Sequence, residues 1–263
     1  MKLYRINALM LKYWYNATRN FFRILEVFYW PLMGMLIWGF TTNYISELVQ
    51  NNSVINFFLG GAILWTFFIT AQMDIGVFIL EDIWNRNIFN LFASPIKISE
   101  LIISTALFGL IRCILSFIFL ICMAYLLYSF NILSIGIVYV SMFAFGLILF
   151  GWVTGIFIVG LIFRFGLKVQ SLLWVIGWLI QPLSAVFYPL SSLPIWVQKI
   201  SLIFPTTYIF EGMRAAFSKG VIDFRSLILS FAINIILLIL SYIFFGMSIK
   251  YAKKSGMLTK FHE

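Results

Sequence analysis

Charged side chains are scarce in this sequence. Asp, Glu, Lys and Arg together make up only 10% of the 263 residues, whereas hydrophobic residues make up 63%. A soluble domain carries about 25% charged residues, and this chain has too few of them to cover its 30 Phe side chains with polar surface. The lipid bilayer is the solvent that tolerates such a composition, so the sequence indicates an integral membrane protein. Long polar stretches are missing too, which leaves no room for a separate soluble domain.

Residues that carry catalysis or bind metals are equally rare. The chain has one His, His262 in its C-terminal tail, and two Cys, Cys113 and Cys122, in a single apolar run. This set cannot provide the ligand spacing of a zinc site or a Ser–His pair inside the membrane. The phosphate-binding pattern G-x-x-x-x-G-K-S/T is absent as well. We therefore expect no catalytic, cofactor-binding or metal-binding residues, so that energy for any work on a solute would come from a partner.

Long apolar runs are what the sequence has instead. Runs of about 20 residues are long enough to cross a bilayer as helices. We predict an all-α integral membrane fold, a single transmembrane domain over residues 1–263, with six transmembrane helices at 27–44, 57–79, 101–128, 135–163, 169–187 and 227–249.

Residues 1–26 predict an amphipathic helix in the membrane interface. Polar residues recur at steps of three, four and seven, so they share one helix face, while aromatic and aliphatic residues share the other. A basic face opposite an aromatic face is typical of an interfacial helix. A soluble helix packed on a partner is the alternative. The polar face comprises Arg5, Lys12, Asn16, Arg19, Arg23 and Glu26.

The positive charges set the expected topology. The net charge is +9, and Lys and Arg stand at the ends of apolar runs, so we expect anionic lipid headgroups rather than nucleic acid as their partners. They concentrate in the N-terminal segment, in the loops near Arg86 and Arg164, and in the C-terminal tail, which places both termini in the cytoplasm. We expect a multi-pass protein of the bacterial cytoplasmic (inner) membrane. Four cations on the opposite side indicate that residues 188–225 are structured: Lys199, Arg214, Lys219 and Arg225.

Residues 81–95 predict a short amphipathic helix on the cytoplasmic side. Its acidic residues come first, as the helix dipole favours, and Pro95 ends it. Trp84 and Ile88 lie four residues apart on one face, which fits an apolar groove on a partner. An interfacial linker helix is the alternative. The residues expected to couple this segment to a partner are Glu81, Asp82, Trp84, Arg86, Ile88 and Leu91.

Two pairs of opposite charges are also expected. Asp82 and Arg86 have the i, i+4 spacing of a supporting pair on a helix. Asp74 and Arg112 lie inside predicted spans, about 10 Å and about 18 Å from the cytoplasmic boundary at 1.5 Å per residue. Isolated charges at that depth are costly, and the long Arg side chain reaches toward the boundary, so we predict an ion pair. A proton relay at Asp74 is the functional alternative.

Three segments appear in a recognisable order. They are Tyr29-Trp30-Pro31 after the basic N-terminal helix, Asn90-Leu91-Phe92-Ala93-Ser94-Pro95 in the cytoplasmic loop, and Phe204-Pro205-Thr206-Thr207-Tyr208-Ile209-Phe210-Glu211-Gly212-Met213-Arg214 before the last span. In their order, spacing and topology, the chain resembles the ABC-2 type transporter permease family over nearly its whole length.

The resemblance implies the membrane subunit of an ABC exporter. Two permease chains, copies or relatives, would pair, and each would bind one ABC ATPase subunit that holds the ATP. Residues 81–95 would act as the coupling helix, and residues 188–225 would form external re-entrant helices. This external gate segment includes Pro205, Tyr208, Glu211 and Arg214.

A second function class stays open at this point. An ion-coupled secondary transporter or a channel would work without an ATPase and would need Asp74, Glu211 or Asp223 as its ion-coupled residue. The two halves of the sequence show no internal repeat, which weakens the case for an inverted-repeat transporter.

Overall fold

The computed structural model describes residues 2–49, 53–220 and 223–255. Within these ranges the secondary structure is helical, as the composition predicts. The helices are α1 (Leu3–Thr18), α2 (Phe21–Val49), α3 (Ser53–Trp84), α4 (Ile88–Ala93), α5 (Ile98–Tyr128), α6 (Ile137–Phe165), α7 (Leu172–Leu183), α8 (Ile195–Ser201), α9 (Pro205–Lys219) and α10 (Phe224–Lys254). Short 3₁₀ turns precede α6, α7 and α8, at Ile132–Ile135, Leu167–Val169 and Leu190–Ser192.

Five of these helices are long and apolar enough to cross a membrane. In the described part of the chain they cover Phe21–Leu48, Phe57–Trp84, Ile98–Tyr128, Ile137–Phe165 and Phe224–Lys254. Their uninterrupted apolar character explains the helices, because backbone groups in hydrocarbon must be hydrogen-bonded within the segment itself.

The sixth predicted span, 169–187, differs from the other five. The structure places there the 12-residue helix α7, which is shorter than the about 20 residues that a regular span needs. With the preceding 3₁₀ turn, the apolar helical segment runs over Leu167–Leu183. Pro182 lies in its last turn, and the chain then breaks into short elements up to α9.

Two apolar clusters mark the two ends of the bundle. The α1-end cluster joins Leu9 and Tyr13 of α1 to the last turns of α3, α6 and α10, with Ile249 and Ala252 of α10 among its members. The α9-end cluster joins α9 to the first half of α3 and to the start of α10 at Leu227. The described N-terminal helix and the end of α10 therefore lie at the same end of the molecule.

α7 runs from one cluster toward the other. Leu173, in its first turn, is buried in the α1-end cluster, whereas Ile180 and the following Val186 are buried in the α9-end cluster. The chain must make this passage, because α6 ends in the first cluster and α10 begins in the second.

α3 and α6 form the centre of the bundle. Both are 72% buried over their most apolar windows, compared with 11% for α2 and 22% each for α5 and α10. A Cβ at Gly151 of α6 would lie 2.7 Å from the Phe68 carbonyl oxygen, and one at Gly155 would lie 2.8 Å from that of Gln72. Only glycine permits so close an approach, so these two residues let the α3 and α6 backbones touch.

Two of the expected helices have different boundaries in the structure. The helix predicted for residues 1–26 is broken at Arg19–Asn20, and α2 begins at Phe21, where Asn20 Oδ1 accepts a hydrogen bond from the Phe22 amide at 3.1 Å. The single helix predicted for residues 81–95 is divided, because α3 continues to Trp84 and α4 covers only Ile88–Ala93. An Asn that caps the second helix explains the first break.

Candidate functional site

The turn between α3 and α4, at residues 84–88, interrupts the segment that was expected to contact a partner. Arg86 adopts a left-handed conformation with φ of 57°. The Asn87 amide donates to the Asp82 carbonyl at 2.8 Å, and the Arg86 amide donates to the Ile83 carbonyl at 3.0 Å. This pair of bonds is a Schellman motif, which normally has glycine at the left-handed position. The turn therefore ends α3 and exposes residues 84–86.

The expected Asp82–Arg86 pair does not form. Asp82 makes an ion pair with Lys12 of α1, and its Oδ1 also accepts a hydrogen bond from Asn87 Nδ2 at 3.0 Å. Because α3 ends at Trp84, helical i, i+4 geometry does not extend to Arg86, whose side chain is exposed.

The three acidic residues of this region are all buried and all paired with cations from the N-terminal segment. Arg23 Nη1 donates to Glu81 Oε2 at 2.8 Å, Lys12 pairs with Asp82, and Arg5 lies 3.5 Å from Glu100. Glu100 also accepts a hydrogen bond from the Lys2 amide at 2.9 Å, and Arg5 donates to the Pro95 carbonyl. The basic face of the N-terminal segment thus contacts carboxylates of the same chain at both ends of the α3–α5 connection.

Tyr13 anchors α1 beneath these ion pairs. Its ring is 1% exposed and packs against Phe78 of α3, with ring centroids 4.8 Å apart. Burial, reinforced by the Asp82 carboxylate, raises the pKa of the Tyr13 phenol well above its usual range. The phenol therefore stays neutral, and α1 is held to α3 by apolar packing as well as by charge.

The apolar residues that were expected to contact the partner, Trp84, Ile88 and Leu91, differ in how exposed they are. Trp84 is 48% exposed, whereas Ile88 is 0% exposed and lies inside the α1-end cluster. Leu91 packs partly buried against the same cluster. Ile88 and Leu91 therefore fix α4 to this chain, and Trp84 is the member of the expected set that offers an apolar surface. Its indole Nε1 donates to Gln170 Oε1 at 3.1 Å.

Asp74 and Arg112 form an ion pair between α3 and α5. The Asp74 side chain is 4% exposed and that of Arg112 is 21% exposed. Gly109 makes room for the carboxylate, since a Cβ at this position would lie 3.1 Å from Asp74 Oδ2. The guanidinium also lies over the Phe78 ring, 5.8 Å from its centroid. Within the described residues Asp74 Oδ2 has no hydrogen-bond partner, so Arg112 is the group that stabilises this carboxylate.

The four residues expected in the external gate segment all lie in α9. Pro205 is its first residue, and its carbonyl accepts a hydrogen bond from Ser230 of α10 at 2.9 Å. The Tyr208 hydroxyl donates to the Leu202 carbonyl at 3.0 Å. Glu211 and Arg214 form an ion pair at 2.9 Å, one turn apart.

The Glu211–Arg214 pair is tied to the segment that follows α7. Glu211 Oε1 accepts a hydrogen bond from the Leu190 amide at 2.6 Å, and Arg214, which is 8% exposed, donates to the Val186 carbonyl at 3.4 Å. A charged pair therefore holds the irregular residues 184–192 against α9.

Comparison with known protein families decides the class of this chain. The family model of the ABC-2 type transporter matches residues 6–218, which is most of the chain. The chain belongs to this ABC-2 type transporter family. A comparison with curated protein sequences returned no match. The protein is thus a membrane transport component, as the resemblance of the three quoted segments implied.

Two buried amide side chains of this ABC-2 chain make polar contacts that were not predicted from the sequence. Gln72 of α3 is 1% exposed and its Nε2 donates to the Leu173 carbonyl of α7 at 2.8 Å, while Asn234 Nδ2 of α10 donates to the Gly146 carbonyl of α6 at 3.0 Å. A single amide residue inside an apolar run was the available signal, because such a residue needs a partner in hydrocarbon. Within the described residues, no group of three or more His, Cys, Asp or Glu is arranged to hold a metal ion.

Proposed function

We propose that this chain is the permease subunit of an ATP-binding cassette exporter, driven by a separate ATPase chain that docks on the turn after α3. The proposal rests on two features that this turn combines, an exposed aromatic side chain and neighbouring acidic residues whose charges are already paired. Trp84 exposes about half of an indole ring at the end of the molecule where α1 and the end of α10 lie, and the neighbouring acids are already neutralised by the N-terminal segment. A half-exposed Trp beside a firmly held turn is the kind of anchor on which protein interfaces depend.

The proposed layout has six membrane crossings. The segment Leu167–Leu183 would span about 26 Å if fully helical, close to the thickness of the hydrocarbon core. An even number of crossings agrees with α1 and the end of α10 lying at one end of the bundle. The excess of Lys and Arg at that end would make it cytoplasmic, in the inner membrane of a bacterium.

The opposite end would carry the external gate. Residues 188–225 would form re-entrant helices, with α9 as the central one and Pro205, Tyr208, Glu211 and Arg214 as its fixed points. Two side chains of α8, Ile195 and Trp196, are 74% and 68% exposed, which suits a short helix that dips into lipid. Tyr208 and the Glu211–Arg214 pair would hold the turns on either side of α8.

A second permease chain would complete the pathway. α2, α5 and α10 bury only 11%, 22% and 22% of their most apolar windows within a single chain, so lipid or a second chain must cover their exposed apolar side chains. We propose that two permease chains, each with one ATPase, enclose the path, and that ATP binds only to the ATPases.

Co-purification tests the docking proposal. Trp84→Ala should reduce the amount of ABC ATPase that purifies with the permease from membranes of equal permease content. Arg86→Ala should have much less effect, because Arg86 is exposed beside Trp84 but contributes no apolar area. If the Trp84→Ala chain binds the ATPase fully, this turn is only a linker between α3 and α4 and does not dock the ATPase. A permease that transports with a proton gradient and no ATPase would favour the secondary-transporter alternative.

Cysteine labelling tests the topology. After replacement of Cys113 and Cys122 by Ala, a cysteine at Ser191 should react with a membrane-impermeant maleimide in intact cells, whereas one at Asn85 should react only after the membrane is opened. Both positions are exposed in the structure. Reaction of Asn85→Cys in intact cells would invert the proposed orientation.

A further inference from the structure

Two side chains of α3 bind the first turn of α7 and the residue before its N-cap. Gln72 Nε2 donates to the Leu173 carbonyl at 2.8 Å, and Trp84 Nε1 donates to Gln170 Oε1 at 3.1 Å. The two contacts differ in their surroundings, because Gln72 is 1% exposed and Trp84 is 48% exposed. One attachment of α7 is therefore sealed in the bundle, and the other can be reached by a partner.

α7 depends on such attachments more than the long helices do. It has 12 residues, and a helix of this length is marginal without tertiary contacts. Its outer face is uncovered in a single chain, with Trp178 76% exposed and Leu179 55% exposed. On its inner face Gly177 packs against Ile69 of α3, the same helix that carries Gln72 and Trp84. The position of α7 is thus set mainly by α3.

The α6–α7 connection has the geometry of a hinge. α6 ends at Phe165, its C-cap Gly166 has φ of 82°, and the 3₁₀ turn Leu167–Val169 follows before Gln170. Left-handed glycine and one short turn allow a change of direction without unfolding either helix. With Leu173 held by Gln72, residues 166–171 form a short arm. Leu167 and Val169 of this arm pack partly buried against the α1-end cluster, and Gln170 accepts the hydrogen bond from Trp84 of α3.

We propose that Gln170 is a positioning residue that links ATPase docking at Trp84 to the placement of α7. This inference rests on the docking function proposed above for Trp84. In one state the indole donates to Gln170 and the arm lies against α3. In the other, a partner that turns the indole removes the donor, since a hydrogen bond weakens steeply once its alignment is lost. The arm then keeps the apolar packing of Leu167 and Val169 but loses its attachment to Trp84, so that Gln170 can shift. Both states leave the contact between Gln72 and Leu173 intact.

The test separates docking from transmission by choice of variant. Trp84→Phe keeps an aromatic ring but removes the N–H donor, and Gln170→Met keeps the length of the side chain but removes the acceptor oxygen. Gln170→Glu retains an acceptor and serves as the conservative replacement. Ser171→Ala is the matched control, because Ser171 is adjacent and exposed and its hydroxyl forms no capping bond.

The readout is the reactivity of a cysteine at Lys168, an exposed position on the arm, in the permease–ATPase complex in lipid nanodiscs with the native cysteines replaced by Ala. Labelling by a soluble maleimide is compared without nucleotide and after trapping with ATP and vanadate. We expect trapping to change the labelling rate about fivefold or more in the parent chain, the lower range of allosteric couplings. The change should persist in Ser171→Ala and Gln170→Glu and disappear in Trp84→Phe and Gln170→Met. The three variants at Ser171 and Gln170 should retain the ATPase, whereas Trp84→Phe alters the docking residue itself and is compared at equal amounts of bound ATPase. The double variant Trp84→Phe/Gln170→Met should behave like either single variant.

Several results would overturn the proposal. A nucleotide-dependent change that survives in both Trp84→Phe and Gln170→Met would show that the hydrogen bond transmits nothing. A loss of ATPase binding in Gln170→Met as large as that in Trp84→Ala would assign Gln170 to docking instead. A parent chain that binds no ABC ATPase at all would refute the proposed function itself, which is a distinct result from the first two.

Discussion

The ion pairs at the α1 end differ from the pair between α3 and α5 in what surrounds them. At the α1 end three buried carboxylates meet cations that keep part of their surface free, with 15% to 28% of each side chain exposed. Arg112 has a similar exposed fraction, 21%, but it lies midway along α5. If α5 crosses the membrane, its exposed atoms meet hydrocarbon or a second chain rather than water.

The comparison shows that exposure alone does not set the strength of an ion pair. A cation at the rim that loses its carboxylate can be solvated by water and lipid headgroups. A cation within the bilayer has no such alternative, and its partner is needed to keep the charge tolerable. Ion pairs at the α1 end therefore attach the N-terminal segment, whereas the ion pair between α3 and α5 maintains the packing of the helix bundle.

The largest expected effect comes from breaking the pair between the spans. Asp74→Leu or Arg112→Met alone should destabilise the fold by about 3–5 kcal/mol, because each leaves one buried charge without a partner. The double change should recover much of that loss. The measurement is the thermal midpoint in lipid nanodiscs, combined as a double-mutant cycle. A double variant whose loss equals the sum of the single losses would show that the two residues do not interact.

A smaller effect is expected from the pair that joins α1 to α3. Lys12→Ala should destabilise by about 1.5–3 kcal/mol, the range for a hydrogen bond to a charged group. The loss is smaller than at Asp74 because Asn87 still donates a hydrogen bond to Asp82. Arg19→Ala is the control, since Arg19 is exposed and its guanidinium lies over the Tyr15 ring, 5.6 Å from the centroid. Proteolysis of the α1–α2 connection would report detachment of α1. An effect as large as that of Arg112→Met would remove the distinction between the two sites.

The long helices could be predicted from the sequence because the bilayer requires them. Each apolar run near 20 residues must satisfy its backbone internally. The predicted spans 27–44, 57–79, 101–128 and 227–249 fall within helices of the structure, the span 135–163 begins two residues before α6, and α7 is much shorter than the span predicted there. The partners of the polar residues could not be predicted in the same way. The basic face of residues 1–26 was expected to face lipid headgroups, but Arg5, Lys12 and Arg23 instead contact acids 58 to 95 residues away in sequence.

The candidate site was predictable only where local rules apply. The exposure of Trp84 could be expected from its position at the end of a helix. The burial of Ile88 could not be expected from its position. A helical spacing of four placed these two residues on one face, whereas the left-handed Arg86 between them changes the direction of the chain. A non-glycine residue in that conformation gives no sequence signal, because glycine is the residue that normally marks it.

Loss of the N-terminal cap of α10 is expected to have a smaller effect than loss of either ion pair. The cap is a carboxylate that accepts hydrogen bonds at the start of its own helix and does not pair with a cation on another helix. Asp223 accepts hydrogen bonds from Ser226 Oγ at 2.5 Å and from the Arg225 amide at 3.1 Å, and these bonds lower the pKa of its carboxyl. Because the carboxyl pKa is lower in the folded state, the ionised carboxylate stabilises the start of α10 at pH values above the ordinary Asp pKa of about 3.9. This stabilisation is lost as the pH falls through the folded pKa.

Amide exchange at Ser226 measures the contribution of this cap. Above the ordinary Asp pKa, Asp223→Ala should reduce protection by an amount equivalent to about 1 kcal/mol, and this difference from the parent should shrink as the pH falls through the folded pKa of Asp223. Asp223→Asn should keep much of the cap and lose its pH dependence, so that its protection relative to the parent improves as the pH falls from 6 to 3. Identical pH dependence in the parent and in Asp223→Asn would mean that this carboxylate does not control the cap.

The smallest effect, a dependence on ionic strength, bears most directly on the comparison of the two sites. Raising the salt from about 0.1 M to about 1 M shortens the screening length from about 10 Å to about 3 Å in water. The penalty of Lys12→Ala should therefore shrink by a few tenths of a kcal/mol at high salt, because 27% of the Lys12 side chain is exposed and dissolved ions can screen its charge. The penalty of Arg112→Met should not change, because dissolved ions do not enter the hydrocarbon. Each penalty is the difference in thermal midpoint between variant and parent at the same salt, so general salt effects on the lipid and on the parent cancel. An equal salt response at both sites would place Arg112 in contact with water, either at the bilayer surface or along an aqueous path through the bundle.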